Sequence, residues 1–349
     1  ARAPRGPRVE GHGDGAVGRR HRLGEKVENE LGAGKRGRYA APEIGLIDLE
    51  YPIEKVDEAL LPYLRQDVDH PPSNGLLGAQ ADDPQEGGVG EDEDMVRAVA
   101  ERALARAGAD LLDIGGESTR PGAAEVGVAA EIARVVPVIV GLPGTRRSVD
   151  TRKADVARAA VAAGAGFVND VSGLDFDPGM AAEVARSGAA ICLMHAQGLP
   201  ATMQDDPRYG DVLLDVYDAL AARIARAVAA GIPRDRIVVD PGIGFGKTQA
   251  HNLSILRRIS VYHGLGCGVL LGLSRKRFIG TLGAVGSAGG TGATDAEVPA
   301  DARDPGTLAL TLAAVAQGIQ IHRVHDVAGA RQGLALWRAI FDEDTRAER

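Results

Sequence analysis

Aromatic side chains make up only 3% of this 349-residue chain, with a single Trp, so large rings cannot fill its core. Ala, Val, Ile and Leu must do so between closely approaching strands and helices, the texture of layered α/β folds. Cysteine is scarce as well. Cys192 and Cys267 fall in or beside apolar runs without metal-ligand spacing, which excludes a disulfide scaffold and fits two reduced core thiols in a cytoplasmic protein. No run of 18 apolar residues occurs and the N-terminus lacks an apolar signal core, so neither a membrane span nor a secretory leader is indicated. Positive charge is not in excess either. A formal net charge of −8 argues against a general nucleic-acid binder, although a local basic pocket stays compatible with it. A chain beginning at Ala1 reads as a fragment or a processed form.

What is present is enough apolar sequence, 44%, for one barrel-sized domain and an extension. Residues 1–40 are rich in Gly and Arg without periodicity and read as disordered. Residues 41–94 turn acidic and are broken by Pro71-Pro72 and a glycine-rich stretch at 87–90, and residues 1–90 read as a poorly structured extension. From Glu91 the texture changes: Val96, Val99, Ala100, Ala103, Leu104 and Ala107 recur at helical spacing ahead of Gly108. Seven short apolar runs then alternate with alanine-rich helical stretches: Leu111–Ile114, Ser148–Asp150, Phe167–Asp170, Ala190–Met194, Ile237–Asp240, Val269–Leu273 and Ile319–Val324. That order predicts a parallel sheet and a (β/α)8 TIM barrel over 91–345 whose first strand is atypical or missing, with a doubly wound open sheet as the alternative. Residues 281–302 read as a flexible loop.

The stretch Asp240–Thr248, DPGIGFGKT, joins a strand-end carboxylate to a glycine-rich turn and a lysine, a combination suited to a small polar, anionic ligand. It is neither a P-loop nor a dinucleotide fingerprint, since Pro241 stands where the former needs glycine and the latter's third glycine is missing. The site of a barrel lies at the C-terminal strand ends. Collected there are Glu117, Ser118, Thr119, Arg120, Asp150, Asn169, His195, Asp240, Lys276, Arg323 and His325. Singly, such a carboxylate is as often a helix cap, and such a histidine a local hydrogen-bond partner. Together they suit a flat, nitrogen-rich ring: acceptors from Asp150, Asn169 and Asp240, donors from Asn169 and Lys276, and an anion on Arg323 and His325, two apart on one strand.

In this order the motifs DIGGESTRPG (113–122), SVDTRK (148–153), FVNDVSG (167–173), LMHAQGLPATMQ (193–204), DPGIGFGKT (240–248), GLSRKRFIG (272–280) and RVHDV (323–327) resemble those of the dihydropteroate synthases. The resemblance implies a transferase of folate biosynthesis and a target of sulfonamides. Its reaction would condense 6-hydroxymethyl-7,8-dihydropterin diphosphate with p-aminobenzoate, with Mg2+ as cofactor and a homodimer as the assembly. It also implies a pterin held by Asp150, Asn169, Asp240 and Lys276 between Val171 and Met194, and diphosphate on Arg323 and His325. Thr119 and Arg120 would belong to a mobile loop, and Phe245, Ser274 and Arg275 would help form the p-aminobenzoate pocket. Catalysis would fall to Arg323, His325 and Lys276. One motif of that family is absent, the first-strand loop of the form N-V-T-P-D-S-F-S-D-G-G, whose asparagine contacts the metal; Asp82 to Gly88 stand in its place. Three explanations stay open: Glu43–Glu50 is a substitute strand, the barrel is open at strand one, or residues 1–90 are not native sequence. Two other functions stay open beside the synthase, a pterin-binding protein without turnover and a pterin-dependent methyltransferase-type barrel.

Overall fold

The computed structural model describes residues 76–79, 104–119, 123–198, 202–287 and 297–341. Eight strands pair in parallel and in sequence order into a closed barrel: β1 (Leu76–Ala79), β2 (Leu111–Gly115), β3 (Arg147–Asp150), β4 (Phe167–Asp170), β5 (Ala190–Met194), β6 (Ile237–Asp240), β7 (Gly268–Gly272) and β8 (Ile321–Val324). The helices between and after them are α1 (Val128–Val140), α2 (Ala154–Ala162), α3 (Met180–Ser187), α4 (Val212–Ala229), α5 (Gln249–Arg257), α6 (Arg277–Ser287), α7 (Asp304–Val315) and α8 (Val327–Phe341). All seven strands read from the sequence are present.

The eighth settles the choice between an atypical and a missing first strand in favour of the former, and it lies ahead of the expected barrel start at 91. In β1, Gly78 stands opposite Arg323 of β8 and Leu111 of β2, so four residues inside the expected extension close the ring. Leu-Leu-Gly-Ala has too little apolar side chain to announce a strand; two neighbouring strands supply the backbone partners that make it one. Glu43–Glu50, Asp82–Gly88 and the helical pattern from Glu91 to Ala103 lie outside the described residues. The expected loop at 281–302 is also corrected, because residues 281–287 continue α6. Residues 288–296, with most of the glycines that suggest a loop, lie outside the described residues; Gly280, just before the segment, serves close packing, since a Cβ there would come within 2.6 Å of Arg303 Nε.

Strand side chains alternate between the two faces, and the core divides accordingly. Leu111, Phe167, Cys192, Val238, Leu270 and Ile321 form a cluster of strand residues only, the barrel's interior plug. Their neighbours Leu112, Ile114, Val149, Ile191 and Val239 join the buried faces of the helices in a larger outer cluster. Above the apolar plug the next inward positions are polar, and this change of layer makes the site. Both cysteines are buried free thiols.

Candidate active site

The upper interior layer consists of Asp113 in the middle of β2 and, at or next to the ends of their strands, Asp150 on β3, Asn169 on β4, Met194 on β5, Asp240 on β6 and Arg323 on β8. The three aspartates and Asn169 are each 7% exposed or less. Gly272 on β7 carries no side chain into this layer: a Cβ there would stand 3.8 Å from Asp240 Oδ2 and 3.9 Å from the Arg323 Cβ, so the glycine keeps the centre of the mouth open.

Arg323 is the hub. Its NH2 group donates to Asp150 Oδ2 at 2.7 Å, and its Nε lies 2.7 Å from Asp113 Oδ2 without aligning its N–H for a hydrogen bond. Asn169 Nδ2 donates to the same Asp113 oxygen at 2.9 Å. The amide is thereby turned so that its own oxygen points away from Asp113 and is available as an acceptor. Burial, joined by the carboxylates of Asp113, Glu131 and Asp170, pushes Asp150 up to about 7 in spite of the Arg323 guanidinium. Asp113 Oδ1 and Asp150 Oδ1 are buried and accept no hydrogen bond from the described residues. Neither Asp150 nor Asp240 caps a helix, so capping does not account for either: α2 begins after Lys153 and α5 is capped by Thr248.

Asp240 Oδ1 accepts from the Gly242 amide at 2.7 Å. Burial raises this carboxyl above its ordinary range, against the pull of Lys276. Lys276, reaching in from the loop after β7, is likewise pushed down by burial to about 8, with Asp240 pulling it up. Its ammonium donates to the Ile243 carbonyl and lies 4.4 Å over the Phe245 ring, a cation–π contact. The tight turn that brings Phe245 there depends on Gly242, whose φ is +68° and whose missing Cβ would run into the His195 carbonyl. Gly242→Ala is therefore expected to destabilise the fold by about 2–3 kcal/mol. Urea unfolding measures this, and an unchanged midpoint would contradict the packing.

Lys247 differs from its sequence reading, and His195 keeps the ordinary one. Lys247, the lysine of the glycine-rich turn, is not an anion donor: it is 3% exposed and spends its ammonium on the carbonyls of Gly242 at 2.9 Å and Phe245 at 3.0 Å and on His195 Nδ1 at 2.9 Å. His195, in turn, is a structural partner. Burial and the adjacent Lys247 push it down to about 2, so it stays neutral. Arg323 and His325 also part company, since His325 falls just beyond β8 and its Nδ1 meets Ser274 Oγ at 2.8 Å. The Arg275 guanidinium is held by both oxygens of Asp304 on α7, each at 2.9 Å, away from the aspartate cluster.

Beside the polar layer opens a cavity of about 200 Å3, lined by Thr119, Arg152, Val171, Phe176, Met203 and Phe245. Arg152 lies 4.0 Å over the Phe176 ring and is held by Glu117 at 2.9 Å. Burial works against the Glu117 charge, but bonds from Lys153, the Val126 amide and Arg152 hold its carboxyl below the usual range. Arg120 lies outside the described residues. Sequence reasoning missed Asp113 and Arg152. The first was discoverable by parity, since Leu111, Asp113 and Gly115 share a face; the second left no sequence signal that separates it from an ordinary surface arginine. Among the described residues no three carboxylates, imidazoles or thiols gather closely enough to hold a metal ion.

A family profile described as "Pterin binding enzyme" matches residues 79–325, beginning at the last residue of β1. The chain is 40% identical over 265 residues, 75% of its own length and 88% of the relative's, to the dihydropteroate synthase of Escherichia coli (strain K12). Two solved structures are similar at TM-scores of 0.68 and 0.66. The first is Yersinia pestis dihydropteroate synthase with a sulfonamide drug complex, 37% identical, with 79% of this chain and 95% of that one covered. The second is the Xanthomonas albilineans enzyme in complex with 7,8-dihydropteroate, 38% identical, with 77% and 94% covered.

Proposed function

The chain belongs to the pterin-binding enzyme family, and on that premise we propose that it catalyses the dihydropteroate synthase reaction, joining 6-hydroxymethyl-7,8-dihydropterin diphosphate to p-aminobenzoate with release of diphosphate. The observation that carries this reading is the upper barrel layer. Buried acceptors surround an open centre, with two carboxylate oxygens that the described residues leave unsatisfied, beside one lysine and one arginine. A dihydropterin edge offers several N–H donors and a carbonyl acceptor, which is the complement of Asp150, Asn169 Oδ1 and Asp240 with Lys276. Val171 and Met194 supply apolar contacts to the ring faces. The cavity beside this layer suits the benzoate ring, with Phe245 and Thr119 on its wall and Ser274 and Arg275 proposed to complete it. Arg120 is proposed to act with Thr119.

In this reaction the pterin methylene C–O bond breaks and its electron pair leaves with diphosphate. The p-aminobenzoate nitrogen then attacks the methylene carbon and loses a proton. Arg323, with His325 at the rim, stabilises the departing charge, and Lys276 with its carboxylate partner fixes the ring. Mg2+ is proposed as a companion of the diphosphate. The described donors alone do not fit a metal site, so no step above runs through it. The methyltransferase-type alternative is not favoured, because a methyl group leaves no anion for Arg323 to hold.

The barrel, from Leu76 onward, is taken as the catalytic domain and the residues before it as an extension. A homodimer is supported by the outer face of α8, where Leu336, Ile340 and Phe341 are each more than half exposed. Buried free thiols support a cytoplasmic setting. No described helix is long and apolar enough to cross a membrane.

The pH dependence tests the reading. Asp150 is the stronger acceptor for a ring N–H when ionised, and Lys276 the stronger donor when protonated. With the former near 7 and the latter near 8, kcat/KM for the pterin diphosphate should rise as pH approaches 7 and fall as pH climbs past 8. Diphosphate release across pH 5.5–10 (about two units on either side) measures it, and a flat profile would count against both assignments.

A further inference from the structure

Asp113 is the buried carboxylate of the mouth for which the mechanism above has no use, yet it touches the two groups that must act together. One oxygen, Oδ2, serves both Asn169 Nδ2 at 2.9 Å and Arg323 Nε at 2.7 Å. Asn169 faces the ring and Arg323 the anion, so a single atom joins the parts of the site that hold opposite ends of one substrate. Keeping it there is costly. Asp113 is 4% exposed, its Oδ1 has no hydrogen bond among the described residues, and three carboxylates, those of Asp113, Asp150 and Asp240, share two nearby cations, Arg323 and Lys276. An apolar residue would pack β2 at lower cost, as Leu111 does one layer below.

The other carboxylate on Arg323 is Asp150, through Oδ2. When a ring N–H draws on Asp150, its hold on the guanidinium weakens and Asp113 alone keeps Arg323 in the mouth. We propose that Asp113 is a positioning residue: it fixes the Asn169 amide with its oxygen toward the ring and anchors Arg323, so that heterocycle and diphosphate are held in one fixed relation. The inference rests on the reading that the substrate is a pterin diphosphate.

The test compares the affinity of the full chain for 6-hydroxymethyl-7,8-dihydropterin with that for its diphosphate. The near-isosteric Asp113→Asn should weaken the diphosphate form about 30-fold and the diphosphate-free form only about 3-fold, since a misheld cation chiefly loses the anion. In an Arg323→Lys background the extra, diphosphate-specific loss should vanish to within about twofold, because the path through the guanidinium is already cut. Equal loss for both ligands, or a selective loss that persists beside Arg323→Lys, would overturn the proposal. If Asp113→Asn does not fold, Asp113→Glu reads the same ratio, and an unshifted ratio there overturns it too. A wild-type chain that binds the diphosphate form no more tightly than the bare pterin overturns the substrate reading and this inference with it. Tight wild-type binding with an unshifted variant removes Asp113 alone.

Discussion

Arg323→Met should lower kcat/KM for the pterin diphosphate by about a thousandfold, the scale set by removing a buried group that stabilises developing negative charge. The same change should cost about 3–5 kcal/mol of stability, because two buried carboxylates lose their shared cation. The stability loss has a signature in pH. In the native protein Asp150 stands near 7 against an ordinary 3.8. Its contribution to stability is thus fully present below about 3.8 and is lost as pH rises from there through 7. Without the guanidinium that now lowers it, Asp150 rises further, so the variant should be most unstable above neutrality and recover on acidification as the carboxyl takes a proton. Unfolding midpoints at pH 6 and pH 8.5 (about one unit either side of the native value) separate this from a generic packing defect. Arg323→Lys, which keeps the charge but not the fork, should restore most of the stability and little of the rate. A midpoint loss relative to the unsubstituted chain that is the same at both pH values would remove the coupling between Asp150 and Arg323.

Asp240→Ala should weaken pterin binding by about 100-fold, roughly 3 kcal/mol. Two effects combine. The first is the loss of a carboxylate whose Oδ2 borders the space above Gly272. The second passes through Lys276: Asp240 is the group that raises its pKa against burial. Without that support the ammonium falls below about 8 and gives up its proton nearer neutrality, leaving the ring carbonyl with a weaker donor. Calorimetry with the pterin alone measures the loss. An unchanged Kd would place Asp240 outside the binding site.

The strand-end rule made most of this site legible. Asp150, Asn169, Asp240 and Arg323 are the last or next-to-last residues of their strands and all meet in one layer, because inward alternation and parallel pairing leave them no other place to point. The remainder escaped for identifiable reasons. Leu76–Ala79 becomes a strand only through its pairing with β8 and β2, a tertiary effect that no local propensity carries. Lys247 has the composition of an anion site, yet it serves as a clamp on backbone carbonyls, a use that depends on two loops meeting across β5 and β6. Arg275 and Arg323 are both arginines near strand ends, and only their partners, Asp304 for one and Asp113 with Asp150 for the other, separate a surface strut from the centre of the site. Asp113 was readable from parity but sat inside an apolar run, where the eye passes to Glu117 and the polar loop beyond it.

The most direct test is turnover by the purified 349-residue chain, supplied with the pterin diphosphate, p-aminobenzoate and Mg2+. The expected result is diphosphate release that requires p-aminobenzoate and matches 7,8-dihydropteroate formed, mole for mole. Pterin binding without p-aminobenzoate-dependent release would contradict it, leaving a binding protein built on the same barrel mouth.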